Sequence, residues 1–238
     1  MGRFPNIAAS KAKTGAMKAK LYSTFAKEIY LAAKTGVPEV DNNLVLRRTV
    51  EKAKKNQVPN DVIERAINKA KGSSTDDYQT IIYEGFGPGQ STLIIKTLTD
   101  NVNRTVAFVR EAFNKCHKSL GVSNSVSYNY DYLALLGIKG LTEEQAFETL
   151  LDNGIEPVDI EVDNDVLIIS LNLSDHYKAK DLLDSTYPNL EYELDEEGYY
   201  AKDLIELTGE DLEVFTKLYN MLDEIEDVTN IYHNVKNF

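Results

Sequence analysis

The sequence predicts an α+β protein, a small basic helical module followed by two α+β units, and three observations carry that prediction. Apolar residues recur with helical spacing as far as the turn-rich link Gly72-Ser73-Ser74-Thr75-Asp76-Asp77, where the period changes. Beyond the link, alternating strand patterns interleave with helical ones. Charge divides along the same line. Residues 1–72 hold 15 Lys/Arg against 6 Asp/Glu, whereas residues 141–238 hold 5 against 26. The formal net charge of -12 therefore combines a local +9, a neutral middle and a local -21. One end is suited to approach polyanions and the other repels them.

The first helix is predicted over Lys18 to Lys34, with Leu21, Phe25, Ile29 and Ala32 inward and Lys20, Lys27 and Lys34 beside them. Gly36 and Pro38 stop it. The second runs from about Asn43 to Asn56 on the stripe Leu46, Val50, Ala53. The third starts at Pro59-Asn60-Asp61 with Asn60 as its cap, and buries Ile63, Ala66, Ile67 and Ala70. Strands over 80–83 and 91–98 flank the turn Gly85-Phe86-Gly87-Pro88-Gly89. A helix over 103–115 turns Val106, Val109, Ala112 and Phe113 inward. Ser125–Leu136 reads as a strand with Val126, Tyr128 and Tyr130 alternating. Thr142 and Gln145 have the spacing of a capping box. Strands over 157–162 and 166–171 flank the hairpin signal Asp163-Asn164-Asp165. A helix at 175–185, strands near 191–194 and 201–207, a helix at 210–222 and a strand near 226–235 complete the chain. Periodicity leaves two topologies open: sequential units at 78–137 and 138–238, or a last helix and strand that return to the sheet begun at residue 80.

Several function classes find little support. No apolar run approaches the ~18 residues of a membrane span, and the amino end lacks the apolar stretch of a secretory signal. Cys116 is the single cysteine, so no intramolecular disulfide forms and a cytosolic compartment fits. His117, His176 and His233 are about 60 residues apart and form no metal-ligand spacing with Cys116. Cys116 and His117 adjoin in sequence, but helical neighbours point about 100° apart, which disfavours a nucleophile–base pair. The segment Glu84–Gly89 lacks a following Gly-Lys-Ser/Thr and opens no helix; a tight strand-to-strand turn explains it better than a phosphate loop. The expectation is a protein without catalytic residues, metal or cofactor.

Nucleic-acid contact is the better-supported chemistry. Arg3, Lys11, Lys13, Lys18 and Lys20 cluster before Lys27, and Arg48, Lys52, Lys54 and Lys55 form a second patch. Together they would neutralise several phosphates, with binding that weakens steeply as salt rises. Phe4 is near enough to the amino end to stack on a base. Thr99–Thr105 offers a candidate second contact through Asn101, Asn103 and Arg104, with Arg110 further along the helix. Arg104 would fork onto phosphate beside the helix-start amides; in the competing reading Asn101 or Asn103 caps the helix and Arg104 is a surface residue. The acidic remainder repels an extended duplex, whereas a structured RNA or ribonucleoprotein meets both faces. A membrane surface fits less well, because the basic helix has a modest apolar face and the chain has no Trp.

Specific motifs also carry a resemblance. Gly2, Asn6-Ile7-Ala8, Phe25-Ala26-Lys27-Glu28-Ile29, Val58–Ile67, Tyr83–Gly89, Leu98–Val106, Val109-Arg110 and Ser125-Val126-Ser127 stand in the order of the YebC/PmpR family. The chain resembles that family, which also holds the mitochondrial translational activators of cytochrome c oxidase, and looks closest to its YeeN-like branch. Many members carry Lys-Trp where this chain has Phe4-Pro5. The resemblance implies a non-enzymatic cytoplasmic protein of three domains: a helical domain over 1–77, an α+β domain over 78–130 plus 206–238, and an acidic α+β domain over 131–205 inserted into it. It implies DNA-binding transcriptional regulation, or action on the ribosome and its RNA, including at consecutive prolines. It leaves the oligomeric state open.

Overall fold

The computed structural model describes residues 15–72 and 77–238, with side chains from Lys18 onward. Helices α1 (Gly15–Thr35), α2 (Leu44–Lys55) and α3 (Asn60–Lys71) form the amino-terminal bundle. Phe25 and Ile29 of α1 meet Leu46, Val50 and Ala53 of α2 and Ile63 and Ala66 of α3 in its core. Each large side chain so buried contributes about 1.5–3 kcal/mol. Asn43 caps α2, accepting from Leu46 N–H at 3.0 Å while its amide donates to the carbonyls of Ala32 and Val37, both at 2.8 Å. One side chain thereby closes α1 and opens α2. Asn60 does not cap α3. It is the first helical residue; Pro59 precedes it with φ -59° and ψ 140° and makes no side-chain cap. Proline's fixed φ presets the entry instead.

Two antiparallel sheets follow. The first joins β1 (Gln79–Phe86), β2 (Thr92–Thr99), β3 (Ser119–Leu120) and β8 (Val228–His233) in the order β3-β1-β2-β8. The second joins β4 (Tyr130–Lys139), β5 (Asp159–Asp163), β6 (Val166–Leu171) and β7 (Glu191–Ala201) in the order β5-β6-β4-β7. The last strand pairs with β2, so everything from β4 to β7 lies between parts of the first sheet, as the resemblance implies.

Helices α4 (Val102–Lys115) and α7 (Gly209–Asp223) cover one face of the first sheet. Val109, Phe113, Phe215, Leu218 and Leu222 pack there on Leu93 and Ile95. Helices α5 (Glu143–Asp152) and α6 (His176–Thr186) cover the second sheet, burying Ala146, Leu150, Ala179 and Leu183. Thr142 and Gln145 form the predicted capping box. On the other face of the first sheet, Ile94 packs with Val126, Tyr130 and Ala201, tying the two sheets together. Among the described residues no helix is long and apolar enough to cross a membrane.

Three local expectations are corrected. Residues 125–129 are not strand: a 3-10 turn spans Ser127–Asn129, and Tyr128 is 66% exposed. The cause is Glu84, a buried carboxylate that accepts from the N–H groups of Asn124, Val126 and Ser127 at 2.7–2.9 Å and bends the chain around itself. Burial raises the Glu84 pKa, but these bonds outweigh it and hold the group below its ordinary value. The strands expected near 191–194 and 201–207 are instead one strand over Glu191–Ala201, followed by an isolated bridge from Ile205 to Val235. Within the strand, His176 and Lys180 face Asp195 and His176 also faces Glu197, which makes the acidic run 195–197 tolerable there. On α4 the fully buried polar position is Thr105, while Val106 is only partly buried.

Candidate nucleic-acid interface

The two basic helix faces nominated by charge point toward acidic parts of the same chain. On α1, Lys20, Ser23 and Lys27 share a face, and all three meet the turn between α7 and β8. Lys20 Nζ donates to the Asp223 carbonyl and, at 2.9 Å, to its carboxylate. Ser23 Oγ donates to Glu226 at 3.4 Å. Lys27 Nζ sits 2.9 Å from Asp227 Oδ1 and 3.8 Å from Glu226 Oε1, with its side chain only 11% exposed. On α2, Arg48 and Lys55 approach α6 and β7. The Arg48 guanidinium carbon lies 3.3 Å from the Tyr177 ring centroid, and Lys55 Nζ lies 5.7 Å from that of Tyr192. Both are cation–π geometries.

Asp227 is the hub of the first contact. It is 3% exposed, and its carboxylate accepts from Lys27, from Arg104 at 2.8 Å, from Thr105 Oγ1 at 2.8 Å and from Thr99 Oγ1 at 3.2 Å. Burial disfavours its charge, but Arg104, Lys27 and Thr105 outweigh that and bring its pKa down to about 2. A cleft of about 380 Å³ opens beside it, lined by Lys27, Tyr78, Asp100, Arg104, Phe108 and Glu226 among others.

A second group of charges gathers where the three regions meet. His176 is buried, with Nε2 2.9 Å from Asp195 and Nδ1 3.0 Å from Glu197. Burial of the ring opposes its charge, yet these two carboxylates prevail and raise its pKa. The hydrogen bond from His176 in turn lowers that of Glu197, against burial and with help from Lys52 and Lys96. Lys52 and Lys96 also face Glu28 on α1, whose pKa burial raises despite them. Helices α1 and α2 and strands β2 and β7 thus share one charge network.

The candidate residues therefore sort into distinct groups. Arg3, Lys11 and Lys13, with Phe4, lie outside the described residues. Lys20, Lys27, Arg48 and Lys55 contact the acidic parts of the chain as above. Lys18, Lys52, Lys54 and Arg110 are exposed, as is Lys55 despite its ring contact. Asn101 caps α4, accepting from Arg104 N–H at 3.0 Å, and Asn103 is exposed beside it. Arg104 is 43% exposed and bridges Asp100 and Asp227, both at 2.8 Å. The capping reading of this loop describes its geometry, and Nη2 of the guanidinium is held by two carboxylates.

Cys116 and His117 do not form a nucleophile–base pair among the described residues. Cys116 is buried, and burial pushes its thiol pKa up, with Lys217 and Lys118 offsetting part of the rise. His117 follows it at φ 54° and is exposed. Among the described residues no cluster of three His, Cys, Asp or Glu is arranged to hold a metal ion. The glycine segment makes a turn: Gly87 N–H donates to Ser91 O at 2.8 Å, and a Cβ on Gly89, at φ +56°, would lie 2.6 Å from Leu207. Asp227, Glu84, His176 and Tyr177 escape sequence reasoning because their partners are remote in the chain.

A helical bundle, a four-stranded sheet interrupted by a second one and a basic face docked on acid define a class that the comparisons identify. Residues 2–73 match the model of the TACO1/YebC protein N-terminal domain, and residues 78–235 match that of the TACO1/YebC second and third domain. The chain belongs to the TACO1/YebC family. It is 41% identical over 236 residues to a protein of Alcanivorax borkumensis named "Probable transcriptional regulatory protein", covering 99% of each chain. A Marinomonas protein with the same description is 40% identical over 237 residues, covering 99% of this chain and 100% of its own. The crystal structure of a conserved hypothetical protein from Aquifex aeolicus superposes with a TM-score of 0.80 at 30% identity, over 98% of this chain and 96% of that one.

Proposed function

We propose that this chain is a non-enzymatic, cytoplasmic, nucleic-acid-binding regulator of gene expression that works without a cofactor. The observation that carries the reading is the +9 block of residues 1–72, which keeps Lys18, Lys52, Lys54 and Lys55 exposed while the rest of the chain is neutral or acidic. Phosphate neutralisation by such residues gives sequence-independent affinity with a steep salt dependence. The names of the relatives, probable transcriptional regulatory proteins, support a regulator of transcription.

A second reading, a ribosome-associated translation factor contacting ribosomal RNA and aiding synthesis at difficult sequences such as consecutive prolines, is favoured by the -21 block. That block repels a long duplex but suits a partner presenting both phosphate and basic protein. Crosslinking in cells with parallel recovery of DNA and RNA separates the two. Promoter-localised DNA supports the first, and a ribosomal RNA footprint supports the second. Recovery of neither refutes nucleic-acid binding.

A further inference from the structure

Lys20, Lys27, Arg48 and Lys55, which charge pattern nominates for phosphate, are matched within this chain by carboxylates and aromatic rings. The contacts follow helix geometry: Lys20, Ser23 and Lys27 on one face of α1, and Arg48, Lys52 and Lys55 on one face of α2, at spacings that place each trio in a row. The α1 row meets residues 223–227, and in the α2 row Arg48 and Lys55 face Tyr177 and Tyr192. We propose that Asp223, Glu226 and Tyr177 are an internal competitor for Lys20 and Arg48, so that nucleic acid must displace them to add these two side chains to the cations already exposed on α1 and α2. The inference rests on the nucleic-acid reading above and adds a mechanism of restraint to it.

Outside the buried Lys27–Asp227 pair, the α1 contacts have the properties a displaceable competitor needs. Asp223 is 44% exposed in its side chain and Glu226 is 75% exposed, so water and salt compete for both. Exposed pairs of this kind hold weakly one by one. Held in the same chain, they act at high effective concentration, so together they keep Lys20 and Arg48 engaged. A polyanion supplies the same charge along a continuous backbone, releases counterions as it binds and replaces several carboxylates at once. Restraint of this type lowers apparent affinity by the fraction of molecules in the open state. A regulator so built rejects short or isolated anions and responds to extended phosphate chains.

The test uses the full chain with a fluorescein-labelled 20-nucleotide RNA and a DNA duplex of the same sequence. The variant Asp223→Asn/Glu226→Gln removes two of the competing charges and leaves Asp227 in place. Its control, Glu148→Gln/Asp152→Asn, makes the same change in net charge on the exposed face of α5. Opening is followed by energy transfer between dyes on Glu51→Cys and Lys178→Cys in a Cys116→Ser background. The expected result is a Kd lower by about 3–10-fold for the first variant, from the usual worth of two exposed ion pairs. The control should show no comparable gain, and saturating probe should lower energy transfer. Binding by the variant where the unaltered chain shows none supports the competitor equally. Equal gains in both variants would show a general charge effect and overturn it. Unaltered affinity together with unaltered energy transfer would overturn it too, while binding by the unaltered chain keeps the nucleic-acid reading intact. If neither probe binds any form, both proposals fall.

Discussion

Replacing Asp227 with Asn isolates the joint between the helical bundle and the first sheet. The substitution keeps the shape and removes the charge that faces Lys27 at 2.9 Å and Arg104 at 2.8 Å. Lys27 is 11% exposed, so it loses its close counter-ion in a place that water reaches poorly. Removing one partner of a buried pair costs about 3–5 kcal/mol. Here the cost is smaller, because Arg104 keeps Asp100 at 2.8 Å and Lys27 keeps Glu226 at 3.8 Å. The fall in the Asp227 pKa from 3.8 to about 2 corresponds to roughly 2 kcal/mol of preference for the charged form. Both routes place the destabilisation at about 2–3 kcal/mol. The sign with pH follows. A carboxyl whose pKa falls on folding contributes fully above its unfolded value near 3.8, and that contribution is lost as pH drops toward about 2. Urea unfolding followed by circular dichroism should show the deficit at pH 7 and its shrinkage toward pH 2. In a cycle with Lys27→Met, the double variant should be more stable than the sum of the single effects predicts. A deficit below about 0.5 kcal/mol at pH 7 with additive single effects would refute the hub, since that is the ordinary range of surface substitutions.

Two further outcomes follow from buried geometry. His176 has its pKa raised by Asp195 and Glu197 against the opposing effect of burial, so its contribution is present below its unfolded value near 6.5 and is lost as pH rises through the higher folded value. His176→Gln should therefore cost most at pH 6 and progressively less at alkaline pH in the same unfolding assay; parallel stability curves for the two proteins would exclude a charged imidazole there. At Gly85 an added Cβ would lie 2.3 Å from the Phe113 ring, whose side chain is fully buried. Gly85→Ala should destabilise by about 1–3 kcal/mol through overpacking, with partial recovery on adding Phe113→Leu; a melting temperature equal to that of the unaltered chain would contradict the close approach.

Much of the fold is legible in the sequence because its determinants are local. The stripe Leu46, Val50, Ala53 marks α2, Thr142 and Gln145 mark the start of α5, and Asp163-Asn164-Asp165 marks the hairpin, where Asn164 and Asp165 adopt φ 47° and 66°. Failures arise where a distant partner changes what a residue can tolerate. Asp195-Glu196-Glu197 looks unable to sit in a strand until His176 is placed beside it. Ser125–Asn129 has strand periodicity until the Glu84 carboxylate, about 40 residues earlier, captures its amides. The candidate interface shows the same limit more sharply. Regional charge locates the basic helices correctly, but nothing in the spacing of Lys20 and Lys27 reveals that their counter-ions lie 203 and 200 residues away. Surface lysines awaiting phosphate and lysines holding a domain in place have the same local pattern.

The seam between the two sheets bears on how the chain assembles. Tyr130 pairs with Ala201, and Lys202 N–H donates to Asn129 O at 2.8 Å, so the chain enters and leaves the second sheet through neighbouring strands. Once β4 to β7 have formed, some 70 residues of intervening chain count as a short closed loop for the rest of the molecule. Closing the longer loop without that help would cost about 0.6 kcal/mol more in chain entropy, the cost of one doubling of loop length. The pairing of β8 with β2 is therefore favoured after the second sheet has formed, which gives the acidic segment a part in the order of folding that is separate from anything its charges do.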